Sequence, residues 1–409
     1  MTRPVLIDVD LPEFGEPRVQ PAIPPATYEA RVAAALQRAG AAGFGALAVY
    51  GDREHAANVA YLTGYDPRFE ETLLLLVPGR RPALLVGNEG WSYAELAPGT
   101  FDRLLCQTFS LPGQPRDTQL PLATLLAEAG LRPGIRIGAV GWKIFEPSDP
   151  GATEAWLDLP EFIAHALRAV GPVSNATALF QNPADGLRAI NDVDQLACFE
   201  FAATYSSSAL KRVLFGLRPG MSELEAARLM AVPGLPLSCH TMLSAGARAS
   251  RGLPSPSARI IGHGDPFTMA CGIQGALNAR AGFVVRDASE MPEETRDYVA
   301  KLVAPYFAAV AACGQRFLRA VALSLGVDTA FFADKYDKPL QRTQCVYYPP
   351  HPAQVEGELF GVAPHTDYGC VTLLWQDDVG GLEVLDPSGA WVAAPPIPGT
   401  LVVNIGDLL

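Results

Sequence analysis

From Tyr28 the chain places apolar residues at helical spacing through Phe44, then enters an unbroken apolar run, Ala46–Tyr50, that reads as a strand. A second helical segment covers 55–64. Two further apolar runs follow, Thr72–Val77 and Pro82–Val86, split by a turn at Pro78-Gly79-Arg80-Arg81. Helical spacing over 118–130, a strand over Ile135–Val140 and a helix over 159–170 continue the alternation. Strands alternating with helices of this length predict an α/β domain with a largely parallel sheet, ending near residue 175. Residues 1–26 ahead of it are Pro-rich and irregular.

The stretch 186–231 changes character and reads as helical. Ser222, with Glu225 three residues on, has the spacing of a capping box and predicts a fresh helix start. Short strands and Gly/Ser/Pro turns dominate from Pro233 to Val285. A helix is expected from about Pro292 towards Ala312, bent at Pro305 and interrupted at Gly314, with a second helical piece over Arg316–Leu325. From Thr343 onward everything reads as strands and turns: Val371–Trp375, Gly381–Leu385, Ala390–Ala393 and Thr400–Ile405 are short β-rich runs separated by Gly, Asp and Pro. No internal repeat is visible.

A 409-residue chain that is 49% hydrophobic and 18% charged has ample material for buried cores, so disorder is excluded. The net charge of −12, without any Lys/Arg block, speaks against nucleic acid and against anionic membrane as partners. The start lacks the basic-then-apolar order of a signal peptide and no long apolar run occurs, so a cytoplasmic location is the expectation. The 7 cysteines are scattered without a CxxC pair and read as reduced, mostly buried thiols rather than structural zinc ligands.

The densest chemistry lies at His365-Thr366-Asp367. On a strand, residues i and i+2 face the same way, so an imidazole and a carboxylate at this spacing can converge on one ion. They would supply two members of the two-histidine, one-carboxylate set that holds Fe(II) with open positions. No histidine follows His365; His351, in the stiff Pro349-Pro350-His351-Pro352 loop, is the only nearby substitute. The alternative is structural: Asp367 caps the turn at Tyr368-Gly369 and His365 is a packed strand residue. His240 and His263 each stand isolated, without a paired carboxylate at metal-like spacing, and Asp265 before Pro266 reads as a turn cap.

Two resemblances organise the chain. Tyr61-Leu62-Thr63-Gly64 within the α/β block and the later Gly264-Asp265-Pro266…Gly272 resemble the creatinase and proline-specific aminopeptidase family over roughly 27–312. That resemblance implies an α/β N-terminal creatinase-like domain followed by a partial α+β pita-bread domain. The family's two-metal site is not carried over, because Ala270 stands where the first aspartate belongs and the second falls at about Ala279 or Ala281. The family histidine ahead of that strand falls within Leu253–Pro256, and the remaining ligands belong to segments the sequence lacks. No dinuclear metal site and no peptidase activity are therefore expected.

His365-Thr366-Asp367, Gly380-Gly381-Leu382, Trp391 and Pro398-Gly399-Thr400…Asn404-Ile405-Gly406-Asp407 together resemble the isopenicillin N synthase-like Fe(II)/2-oxoglutarate oxygenases. The resemblance implies a partial all-β double-stranded jelly roll with a dry interior site. It implies His365 and Asp367 as Fe(II) ligands, Tyr348 beside the carboxylate of the co-substrate 2-oxoglutarate, and oxidation of a C–H bond in a small-molecule substrate. The family's distal histidine and its Arg-x-Ser lie downstream of the Asn-x-Gly-Asp strand, so a truncated and impaired oxidoreductase is the expectation. The expected division is 1–26, 27–175, 176–313 and 314–409, with the seam near Cys313-Gly314-Gln315. Exposed strand edges leave a homodimer open. A non-catalytic creatinase-like binding protein and an inactive fusion are the alternatives.

Overall fold

The computed structural model describes residues 15–145, 151, 153, 155–183, 185–232, 234–333, 335, 365–367, 370–386 and 388–406. Helix α1 (Pro25–Ala41) leads into β1 (Ala46–Gly51), then α2 (Ala57–Thr63), β2 (Thr72–Leu76), β3 (Ala83–Val86) and α3 (Asn88–Tyr93). After these come β4 (Asp102–Leu105), α4 (Leu122–Glu128), β5 (Ile137–Val140), α5 (Glu161–Val170), β6 (Val173–Asn175) and α6 (Ala178–Gln181). The strands form one six-stranded sheet in the order β4-β3-β2-β1-β5-β6. All run parallel except β2, which is antiparallel to both β1 and β3. The β2–β3 hairpin turns at Gly79, whose φ of 75° explains the glycine.

The unbroken apolar runs follow from burial on both faces. Leu74 and Leu76 of β2 join Leu47, Val49, Leu84 and Val86 beneath α1 and α2, where Ala35, Ala39, Val59 and Leu62 pack. Leu73 and Leu75 point the other way, onto Leu125 and Leu126 of α4 and Ile163 and Leu167 of α5. Burying each such leucine contributes roughly 1.5–3 kcal/mol. This layered arrangement is the α/β unit expected from the alternation, with β2 as the antiparallel member of the largely parallel sheet.

Helices α7 (Val193–Gly216) and α8 (Glu223–Arg228) come next. Asp192 caps α7 by accepting from Gln195 N at 2.8 Å, and its other carboxylate oxygen takes the buried Arg31 of α1 at 2.8 Å, which ties α7 to the first sheet. The capping box at α8 forms as the spacing predicts: Ser222 Oγ accepts from Glu225 N and Glu225 Oε2 accepts from Ser222 N. Strands β7 (Met242–Ala245), β8 (Pro266–Cys271) and β9 (Asn278–Phe283) make an antiparallel sheet in that order. Leu243, Phe267 and Met269 from this sheet share a core with Ala209, Leu210 and Val213 of α7.

Helix α9 (Glu293–Tyr298) passes through a π-helical turn, Val299–Val303, into α10 (Ala304–Ser324). Pro305 stands directly after the π-helical turn, so the helical path changes locally there without ending, in keeping with a ring that removes a backbone donor. The other punctuation expectation fails. Gly314 does not interrupt α10, because a single interior glycine costs only about 1 kcal/mol and the flanking residues remain good helix formers. The expected seam at 313–315 therefore falls inside a continuous helix.

The last described strands are β10 (Val371–Leu374), β11 (Glu383–Leu385), β12 (Trp391–Ala393) and β13 (Val402–Ile405). They pair antiparallel as β10-β13 and β11-β12. Helix α10 approaches this part of the chain: a Cβ built on Gly314 would lie 3.7 Å from Leu373 Cδ1 of β10.

Candidate functional site

The β10-β13 pair positions the chemistry. Register matches Thr372 with Asn404 and Leu373 with Val403. Gly406 N donates to Cys370 O at 3.1 Å and extends the pairing towards the His365–Asp367 segment. Strand alternation sends Thr372, Leu374, Val402 and Asn404 to one face, and Val371, Leu373, Val403 and Ile405 to the other.

Residues 365–367 form no strand; they lie in the irregular lead into β10, so the expected strand geometry is corrected. The two donors nonetheless approach: His365 Nε2 lies 3.9 Å from Asp367 Oδ1. Asp367 Oδ2 accepts a hydrogen bond of 2.9 Å from Asn404 Nδ2. The Asp367 side chain is 22% exposed and that of His365 is 61% exposed, so the pair is open to solvent rather than in the dry interior the resemblance implies. With bonds of roughly 2.0–2.2 Å, a first-row divalent ion reaches both donors at this spacing only when nearly between them, so adjacent coordination positions need the pair to close to about 3 Å. An imidazole nitrogen and a carboxylate oxygen also suit such an ion chemically. Among the described residues no group of three or more His, Cys, Asp or Glu side chains is arranged to hold a metal. Tyr348, His351 and Asp407 lie outside the described residues.

Spacing could not reveal Asn404's part in this arrangement. Its contact spans 37 positions and depends on the β10-β13 register. The only sequence signal is its place in the Asn404-Ile405-Gly406-Asp407 motif.

The other candidates resolve differently. Ala270 of β8 pairs directly with Ala279 of β9, and Ala281 lies two residues further along β9, opposite Thr268. The position of the first family aspartate and both candidates for the second are thus neighbours on one sheet, and each carries a methyl group. His263 is not isolated: its Nε2 lies 2.9 Å from Glu290 Oε2, a partner 27 residues away. Asp265 does cap its turn, accepting from Gly262 N at 2.6 Å, and Arg259 bonds the same oxygen at 2.9 Å. That guanidinium and the Gly262 N–H hold the Asp265 carboxyl below its ordinary range. Cys106, Cys198, Cys239, Cys271 and Cys313 are free thiols, and burial raises the pKa of Cys106 and Cys271.

The C-terminal segment is similar to known proteins. Residues 339–409 match the model of the 2OG-Fe(II) oxygenase superfamily. The 2-oxoglutarate-Fe(II) type oxidoreductase hxnY of Emericella nidulans is 37% identical over 142 residues, covering 34% of this chain and 38% of that protein. A 1-aminocyclopropane-1-carboxylate oxidase homolog of Solanum lycopersicum is 46% identical over 97 residues, 24% of this chain and 26% of its own length. The chain thus spans between a quarter and two fifths of these relatives. Similar solved structures include an X-Pro aminopeptidase from Thermotoga maritima, at TM-score 0.48 and 15% identity over 64% of this chain and 67% of that one. A prolidase from Thermococcus sibiricus gives TM-score 0.48 and 17% identity over 73% of this chain and 78% of that one. No helix among the described residues is long and apolar enough to cross a membrane.

Proposed function

We propose that the C-terminal segment serves Fe(II)/2-oxoglutarate-dependent oxidation of a C–H bond in a small molecule, with His365 and Asp367 as metal ligands. The observation that carries the reading is the 3.9 Å approach of His365 Nε2 to Asp367 Oδ1 inside the segment that matches the oxygenase model. When bound, Fe(II) and 2-oxoglutarate would supply oxygen activation. The chain's own residues would hold the ion from one side and leave its remaining positions open. The same reading assigns Tyr348 the role of contacting the co-substrate carboxylate. The proposal includes a division of the chain near residues 175 and 313, with the oxygenase-type part following the second boundary.

Anaerobic titration of the whole chain with Fe(II) in the presence of 2-oxoglutarate tests this. A weak visible charge-transfer band is expected, and Asp367→Ala and His365→Ala should each abolish it. A band that persists unchanged in Asp367→Ala overturns the ligand assignment. Tyr348→Phe should raise the 2-oxoglutarate concentration needed for half-maximal absorbance roughly tenfold or more, the worth of a hydrogen bond to a charged group. An unchanged requirement removes Tyr348 from the site.

A further inference from the structure

A carboxylate has two equivalent oxygens, and a ligand that swivels presents neither reliably. Asp367 does not have that freedom. Asn404 Nδ2 donates to its Oδ2 at 2.9 Å, while its Oδ1 lies on the side of His365 Nε2, at 3.9 Å. The orientation of the amide follows from chemistry, since an ionised carboxylate can only accept and the Asn404 NH2 must face it. The donor itself sits on ordered backbone. Asn404 is held opposite Thr372 by the β10-β13 ladder, and strand alternation turns its neighbours Val403 and Ile405 to the other face. A slip of one residue would present an aliphatic side chain to Asp367 instead.

We propose that Asn404 is a positioning residue: it engages Oδ2 of Asp367 and so selects Oδ1 as the oxygen that faces a metal shared with His365. This rests on the reading of His365 and Asp367 as ligands. Outer-shell partners of ligating carboxylates commonly act in this way, and their loss costs roughly 10–100-fold in metal affinity. Without Asn404 the carboxylate would be free to rotate or to bind through both oxygens, which alters coordination as well as affinity.

Co(II) is a suitable probe because its visible d–d bands report coordination directly. Anaerobic Co(II) titration of the whole chain should compare the unmodified protein, Asp367→Ala, Asn404→Ala and Val403→Ala. Val403→Ala trims the same strand on the face turned away from Asp367 and controls for damage to β13. The expected result is a roughly 10–100-fold weaker Co(II) affinity with a shifted d–d spectrum for Asn404→Ala. Val403→Ala should stay within about twofold and keep its spectrum. If the unmodified chain and Asp367→Ala respond alike to Co(II), the ligand reading fails and the role of Asn404 falls with it. If Asp367→Ala abolishes binding but Asn404→Ala matches the unmodified chain, the positioning role alone is overturned. Equal losses in Asn404→Ala and Val403→Ala would also overturn it, by reducing Asn404 to a strand-stabilising residue.

Discussion

Glu223 is a fully buried carboxylate, and its partners explain why it stays charged. Ala245 N donates to one oxygen at 2.9 Å; Ser257 N and Ser257 Oγ donate to the other at 2.9 and 2.6 Å, and Arg248 Nη1 pairs with that same oxygen. Burial pushes the carboxyl pKa up, but the bonds from Ser257, Ala245 and Arg248 outweigh it and hold it below the ordinary value. A depressed folded-state pKa means that the unfolded chain binds the proton more readily. The stabilisation is therefore complete above the unfolded-state pKa of roughly 4.3 and is lost as pH falls through the folded-state value. Glu223→Ala is expected to cost roughly 3 kcal/mol, the low end for a broken buried pair because Arg248 is partly exposed. It should also flatten the acid limb of stability for the unit built on β7-β8-β9. Urea unfolding at pH 7 and pH 4 checks both; a variant that keeps the acid slope of the parent contradicts the assignment. No sequence signal marked Glu223 beyond its place at the start of α8, since its donors lie 22 to 34 residues away. The approach of His365 to Asp367 follows from two residues of separation, although not through the strand geometry expected for them. Asn404 and the Glu290 partner of His263 were not legible in the sequence, because tertiary folding alone brings them near.

At the scale of elements, the signals that survive are those that local physics decides. The apolar runs of β1, β2 and β3 form strands because both sheet faces are covered, and the capping box at Ser222 starts α8 because its two bonds close within one turn. Glycine as a breaker fared worse in α10, which runs through Gly314 unbroken. Gly314 has an ordinary helical backbone, and among the described residues an added Cβ would meet only Leu373 Cδ1, at the contact distance of 3.7 Å. Gly314→Ala should therefore stabilise α10 by about 0.5–1 kcal/mol through helix propensity, with a small packing gain against β10. Thermal unfolding followed by circular dichroism at 222 nm should show a higher midpoint. A lower midpoint would mean that α10 bends or packs more tightly at residue 314 than this geometry allows.

Across the whole molecule the two ends of the chain are built to different standards of burial. Every residue of β1, β2, β3 and β5 is buried, between layers of helices. By contrast β11 and β12 are exposed along their length, and Trp375, Trp391, Val403 and Ile405 present apolar surface to solvent. A two-stranded pair with no covered face is marginal by itself. Local opening energy should therefore fall steeply along the chain, since it tracks buried apolar contacts. Amide hydrogen exchange on the dilute 409-residue chain is expected to protect β1, β2 and β5 most strongly, to give β10 and β13 intermediate protection beneath α10, and to leave β11 and β12 exchanging fastest. Repeating the measurement over a tenfold concentration range separates two outcomes. Protection of β11 and β12 that grows with concentration would show that a second copy covers the exposed faces, the homodimer that open strand edges favour. Protection there equal to that of β1 at every concentration would contradict the gradient and show that the chain's own segments already cover these strands.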